Sequence, residues 1–140
     1  MAYFLWADDM AIDHGVIDAD HQRLIEQLNT LHGATSQGEG QSVVAGLLEA
    51  LVASTREHLQ REEQIMQALG FPDLERHLRG HAAFVARLLE LQAQYAAGRI
   101  TTASRLSTLL RDWLSLHIRR ADKSLQRLIA ERAAQASARR

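Results

Sequence analysis

Four stretches of helical period predict an all-α fold, an up-down-up-down antiparallel four-helix bundle. Three observations carry that expectation. Apolar residues recur at helical spacing in each stretch. The eight glycines and the single proline mostly mark boundaries, and few windows favour strand over helix from end to end. Short connections make sequential helices antiparallel neighbours. With 140 residues, 46% of them apolar, the chain suits one domain, residues 1–140, around one sizeable core. A net charge of −1 argues against a nucleic-acid partner, because a phosphate-binding face needs a positive footprint.

A short arm, residues 1–17, precedes the first helix. Asp18 is its expected N-cap, and His21, Leu24, Ile25, Leu28 and Leu31 follow along one face. The turn-rich segment GATSQGEGQ, residues 33–41, is the expected first loop. The second helix carries Val44, Leu47, Leu51, His58, Glu62, Ile65, Met66 and Leu69 on one stripe. Gly70 then ends it, and Pro72 is placed to open the third helix in its first turn. That helix presents Leu74, His77, His81, Phe84, Leu88 and Leu91, and breaks near Gly98. Thr101 or Thr102 is expected to cap the fourth, which holds Leu106, Leu109, Leu110, Trp113 and His117. The polar stretch 126–140 is a good helix former, expected to extend the last helix into solvent or to fray.

Polar residues interrupt these apolar stripes in a pattern. His21, His58 with Glu62, His77 with His81, and His117 with Asp122 each continue the buried face of their helix. Residues four apart on an α-helix differ by only about 40° and rise about 6 Å, so both side chains of such a pair can meet one centre. One pair alone is weak. All the clusters together, each on an apolar face where an unpaired polar group costs several kcal/mol, predict a metal centre in the bundle core. His117 and Asp122 are five apart and would diverge by about 140° on a regular helix. A π-type bulge or kink between Ile118 and Ala121 is therefore expected, and an unbroken helix there would count against Asp122 as a ligand.

Donor chemistry narrows the ion. The chain has no cysteine, which removes disulfides and thiolate sites and leaves imidazole and carboxylate. Five imidazoles and two carboxylates are too many donors for one ion, and a structural zinc needs only four. Calcium and magnesium prefer all-oxygen sites. A carboxylate-bridged metal pair fits, with di-iron the best match and di-manganese or a zinc pair still open.

These residues carry a resemblance. Trp6, DADHQRLIEQLN from Asp18, EHLQREEQIM from Glu57, GFPDLERHLRGHAAF from Gly70 and WLSLHIRRAD from Trp113 together resemble the hemerythrins, specifically the bacterial single-domain kind. The likeness runs from about Trp6 to Asp122 and fills all seven ligand positions. It implies that His77, His81 and His117 bind one iron, and that His21 and His58 bind the other, which keeps an open position. Glu62 and Asp122 would bridge the two iron ions, with an oxo or hydroxo group as third bridge. Dioxygen would bind end-on at the open iron, taking two electrons from the pair and one proton from the bridging hydroxide. Such a site needs a dry pocket, expected from Leu24, Leu59, Met66, Trp113, Leu114 and Ile118. Similar proteins often carry phenylalanine where this chain has Leu59. The smaller side chain is expected to widen the pocket and change autoxidation or dissociation, not to abolish binding.

The function implied is reversible dioxygen binding for storage, transport or delivery, with an oxygen-consuming enzyme as one recipient. A sensor acting through a separate partner is a second reading, and a di-iron peroxidase or oxidase a third. Oxygen-activating di-iron bundles use carboxylate-rich ligation, so the histidine-rich set points to a carrier, not an enzyme. His14 and His32 lie off the pattern and are expected to be solvated. Glu63 points about 100° from Glu62 and suits a surface or helix-interface role. Asp20 is either an imidazole-orienting carboxylate or an exposed first-turn acid, and Asn29 has a packing or hydrogen-bonding role. Tyr95 is too far from His81 for a radical relay. The opening MAYFLWADDM lacks a basic segment before a long apolar run, and VVAGLLEALVA is short and broken by Glu49. A cytoplasmic protein without membrane insertion, monomeric or weakly oligomeric, is expected.

Overall fold

The computed structural model describes residues 3–138. Helix α1 (Val16–Ser36) opens at Gly15, not at Asp18. The capping carboxylate is Asp13, which accepts N–H bonds from Gly15 (2.8 Å), Ile17 (3.0 Å) and Asp18 (3.1 Å) and so answers donors that the first turn leaves free. Asp18 is buried in that turn. Its carboxylate takes the N–H groups of Ile12 (2.8 Å) and His14 (2.9 Å), tying the arm to the helix. The arm itself contains a short 3-10 turn, Asp8–Met10, and Asn29 clasps it farther up. Asn29 accepts from the Phe4 N–H and donates to the Phe4 carbonyl, both at 2.8 Å.

The first loop is shorter than its composition suggests. Helix α1 continues through Gly33 and Ala34 to Ser36 before Gly38 turns the chain at φ 68°. Burial of Ala34 favours helix there, since tertiary packing overrides the modest cost of one helical glycine. Helix α2 (Gln41–Leu69) ends as expected at Gly70, φ 67°, where the Phe71 N–H returns to the Met66 carbonyl at 2.9 Å. Pro72 lies in the connecting turn instead of opening the next helix. The boundary is Asp73, in left-handed conformation, ahead of α3 (Leu74–Ala96).

Gly98 follows α3 at φ 99°, and Thr101 precedes α4 (Thr102–Leu116). The same rod then passes through a π turn, His117–Ala121, into α5 (Asp122–Ala138). The expected bulge is present. The Asp122 N–H bonds the His117 carbonyl, the five-residue closure that defines it. Helix α1 packs on α2 and α4, and α3 packs on the same two. This is the up-down-up-down four-helix bundle, and among the described residues no strand occurs.

Two apolar layers fill it. The larger includes Leu24, Leu28, Leu51, Leu59, Leu88, Leu110, Leu114 and Ile118. The smaller holds Ile12, Ile17, Met66, Phe71 and Leu125. Between the two lie His21, flanked by Ile17 and Leu24, Glu62, flanked by Leu59 and Met66, and Asp122, flanked by Ile118 and Leu125. The start of the expected polar extension is not solvated. Leu128 and Ile129 pack on the smaller layer, and Arg132 donates to the Leu69 carbonyl at 3.1 Å, closing the end of α2. Residues 130–138 are exposed as expected, while 139–140 lie outside the described residues.

Candidate metal centre

Five side chains converge between the two apolar layers. His21, His58, Glu62, His117 and Asp122, all buried, each offer one ligand atom, and these atoms lie within 4.8 Å of one another. They come from α1, α2 and the two sides of the π turn. His58 and Glu62 share a face because they are one α-helical turn apart. His117 and Asp122 share one because the π turn absorbs the extra residue.

The contacts are those of lone pairs aimed at common points. The Nε2 atoms of His21 and His58 stand 3.0 Å apart. His117 Nε2 is 3.1 Å from both Glu62 Oε1 and Asp122 Oδ1, and His21 Nε2 is 3.0 Å from Asp122 Oδ2. By distance these are ion pairs. Yet Glu62 Oε1 and both Asp122 oxygens, fully buried, accept no hydrogen bond, so the directions are wrong for N–H donation. Buried carboxylate oxygens without donors are costly, and a cation between them and the imidazoles removes that cost. The donor set fits a histidine- and carboxylate-bound metal.

Charge in the layer is strongly coupled. Burial opposes protonation of His58, but hydrogen bonds to Asp20 and Glu62 push it up to about 9. His117 is likewise raised against burial by Asp122 and Glu62. Burial would raise Glu62, yet His117 and His58 hold its carboxyl well below the usual range. Asp122 is raised, by burial first and by the neighbouring Glu62 carboxylate. The two carboxylates thus share the imidazolium charge unequally.

Helix α3 contributes differently. His81 is buried, with Nε2 3.8 Å from Glu62 Oε1 and without a hydrogen-bond partner, so it stands at the edge of the converging group. His77 is not part of that group. Its ring is half-exposed and rests edge-on against Phe71, with centroids 4.8 Å apart. It lines an open cleft of about 500 Å³ together with His81, His117, Trp113, Asp73 and Arg76. Burial and the nearby His81 lower its basicity, which favours the neutral ring, the form with one nitrogen lone pair to offer a metal.

A second layer of polar groups orients the rings. Asp20 Oδ2 accepts from His58 Nδ1 at 3.2 Å, while Arg61 grips the same carboxylate through two 2.8 Å bonds. Glu63 accepts from His81 Nδ1 at 2.9 Å. Each carboxylate holds the proton on Nδ1 and leaves Nε2 facing inward. Asp20 therefore orients an imidazole, and Glu63 has the helix-interface role expected of it. Arg61 had no signal beyond its place three residues after His58. Stacking adds to this. Phe84, Trp113 and His117 form one column, with centroids 3.9 and 4.3 Å apart.

The expected apolar lining divides. Leu24, Leu59, Leu114 and Ile118 belong to the larger layer, with Trp113 half-buried against it, whereas Met66 lies in the smaller layer beyond the ligands. His14 is exposed. His32 is not solvated as expected: it is half-buried and stacks on Tyr3 at 3.8 Å.

Comparison with known proteins gives one consistent likeness. The family model described as Hemerythrin HHE cation binding domain matches residues 14–129. A bacteriohemerythrin of Stenotrophomonas maltophilia is 36% identical over 89% of this chain and 80% of its own length. A bacteriohemerythrin of Methylococcus capsulatus is 30% identical over 88% and 94%. A crystal structure of a hemerythrin variant superposes with a TM-score of 0.85 at 27% identity, covering 91% of this chain and 98% of the other.

Proposed function

The chain belongs to the hemerythrin family, oxygen-binding proteins with non-heme iron, and from that premise we propose that it binds dioxygen reversibly at two iron ions. His77, His81 and His117 would hold one iron and His21 and His58 the other, with Glu62 and Asp122 bridging. The observation that carries this reading is the convergence of five buried ligand atoms within 4.8 Å, with carboxylate oxygens that no N–H answers. When bound, the iron pair supplies two electrons and an open coordination position.

The chain's own residues do the rest. Asp20 and Glu63 hold His58 and His81 in the tautomer that points Nε2 inward. The Phe84–Trp113 column fixes the plane of His117. Leu24, Leu59, Leu114 and Ile118, almost without exposed surface, exclude the water, protons and anions that promote irreversible oxidation of a ferrous site by dioxygen. Met66 closes the layer from the other side.

Two features favour a carrier over an enzyme. The ligand set is rich in histidine, whereas oxygen-activating di-iron bundles are rich in carboxylate. Both tyrosines also lie at the far end of the bundle, Tyr3 against His32 and Tyr95 bonded to the Gln41 carbonyl, so neither serves as a radical relay. The role is storage, transport or delivery to an oxygen-consuming enzyme. The test is the visible spectrum of the anaerobically reduced, iron-loaded protein, taken before air, after air and again under argon. A charge-transfer band that appears and then disappears supports a carrier. Prompt irreversible conversion to the ferric form overturns it.

A further inference from the structure

A trough of about 400 Å³ runs along the seam of α2 and α3, sharing only His81 with the cleft at His77. Its α3 wall is the stripe Leu78, Ala82, Val85, Ala86 and Leu89; its floor is Leu59, beside Glu63 and His81. Two features of this wall are unusual for a water-facing seam. Leu78 and Leu89 leave 37% and 38% of their surface exposed, and the alanines between them, one turn apart, leave the space that makes the trough. Leu59 is only 2% exposed and directly follows His58. An apolar trough thus ends on the side chain next to the imidazole assigned to the open iron.

We infer that the α2–α3 trough is the route by which dioxygen reaches the metal layer, with Leu59 as its inner barrier; this rests on the carrier reading above. Dioxygen is small and apolar, so it partitions into apolar space that water occupies poorly. The other opening towards the ligands carries Asp73 and Arg76 at His77, a polar mouth that favours water and anions. The trough's own polar groups, Arg56, Gln60 and Glu63, line its α2 side, and Glu63 is turned to His81 Nδ1, which leaves the Leu78–Leu89 stripe and the Leu59 floor apolar. To admit a small gas, Leu59 has only to change rotamer towards the trough, which supplies the space beside it.

A transit route alters rates without altering the end states. Ala82→Leu with Ala86→Phe fills the trough with exposed side chains that the fold tolerates. Dioxygen association and dissociation are both expected to slow by about tenfold, with Kd unchanged within about twofold. Leu59→Ala is expected to speed both. A second, independent measurement is the position of xenon in crystals pressurised with the gas, which requires no dioxygen chemistry. Xenon density against Leu59, Ala82 and Ala86, lost in the filled variant, supports the route. Unchanged rates in the filled variant, or xenon absent from the trough, overturn it. A protein that shows no reversible band but does hold xenon there refutes the carrier reading while leaving the trough a gas site.

Discussion

Asp20, Arg61 and Glu63 show how single residues set a ligand's direction. Asp20 and Glu63 each accept the Nδ1 proton of one inward-facing histidine, but only Asp20 also carries a guanidinium, through Arg61. Burial alone would raise the Asp20 carboxyl; His58 and Arg61 hold it well below the usual range, so it is a charged acceptor at any working pH. Asp20→Asn keeps the shape and removes the charge. We expect it to weaken iron retention roughly 10- to 100-fold, read as iron lost to a competing chelator, with helix content unchanged. Glu63→Gln should act likewise through His81. Retention equal to the parent in both variants would mean that the rings need no carboxylate behind them.

Among the elements, the π turn has the most specific consequence. Its five residues bring Asp122 back into line with His117, an alignment that a regular helix over the same spacing misses by about 140°. Deleting Arg119 leaves a four-residue spacing, which an ordinary α-helix aligns to within about 40°. Inserting one alanine after Arg119 turns Asp122 about 100° away. The deletion is therefore expected to keep bound iron and the insertion to lose it, as measured by iron content of the purified proteins. Equal iron in both would remove Asp122 from the ligand set. This turn was legible beforehand because His117 and Asp122 both sit on buried faces at a spacing that no α-helix permits. The cap of α1 was not: Asp13 and Asp18 are both plausible caps locally, and only the path of the arm, with Ile12 and His14 bonded to Asp18, decides between them. Pro72 is similar, since burial of Phe71 in the smaller layer holds the turn open past the proline.

For the molecule as a whole, the ligand layer couples stability to both metal and protons. His58 has its folded value raised from 6.5 to about 9. Its stabilising contribution is thus fully present below pH 6.5 and is lost as pH rises through about 9. Metal, however, needs the deprotonated ring. The metal-free chain should accordingly lose stability between pH 6.5 and 9, while its uptake of iron improves over the same window. Thermal melts of the metal-free protein and iron titrations across that range check the two opposite slopes. Iron loading should raise the melting temperature at every pH, because ligands from all four rods are bound only in the folded state. A melting temperature indifferent to iron would contradict a centre in the core.

Local rules were enough for the helices, for the polar residues on their buried faces and for the π turn, because each depends on spacing along one chain segment. They were also enough to single out the ligand candidates, five of which the fold brings together, since imidazole and carboxylate on an apolar stripe have few other uses. Tertiary structure alone decided which carboxylate supports which ring. Asp20 meets His58 from another helix and Glu63 meets His81 across the α2–α3 seam, contacts that depend on how the helices rotate against one another. It also set His77 at the rim against Phe71, moved Met66 to the far side of the ligands and opened the trough over Leu59. Periodicity tells which face of a helix is buried; the depth of a residue within that face, and its neighbour across the seam, follow from packing.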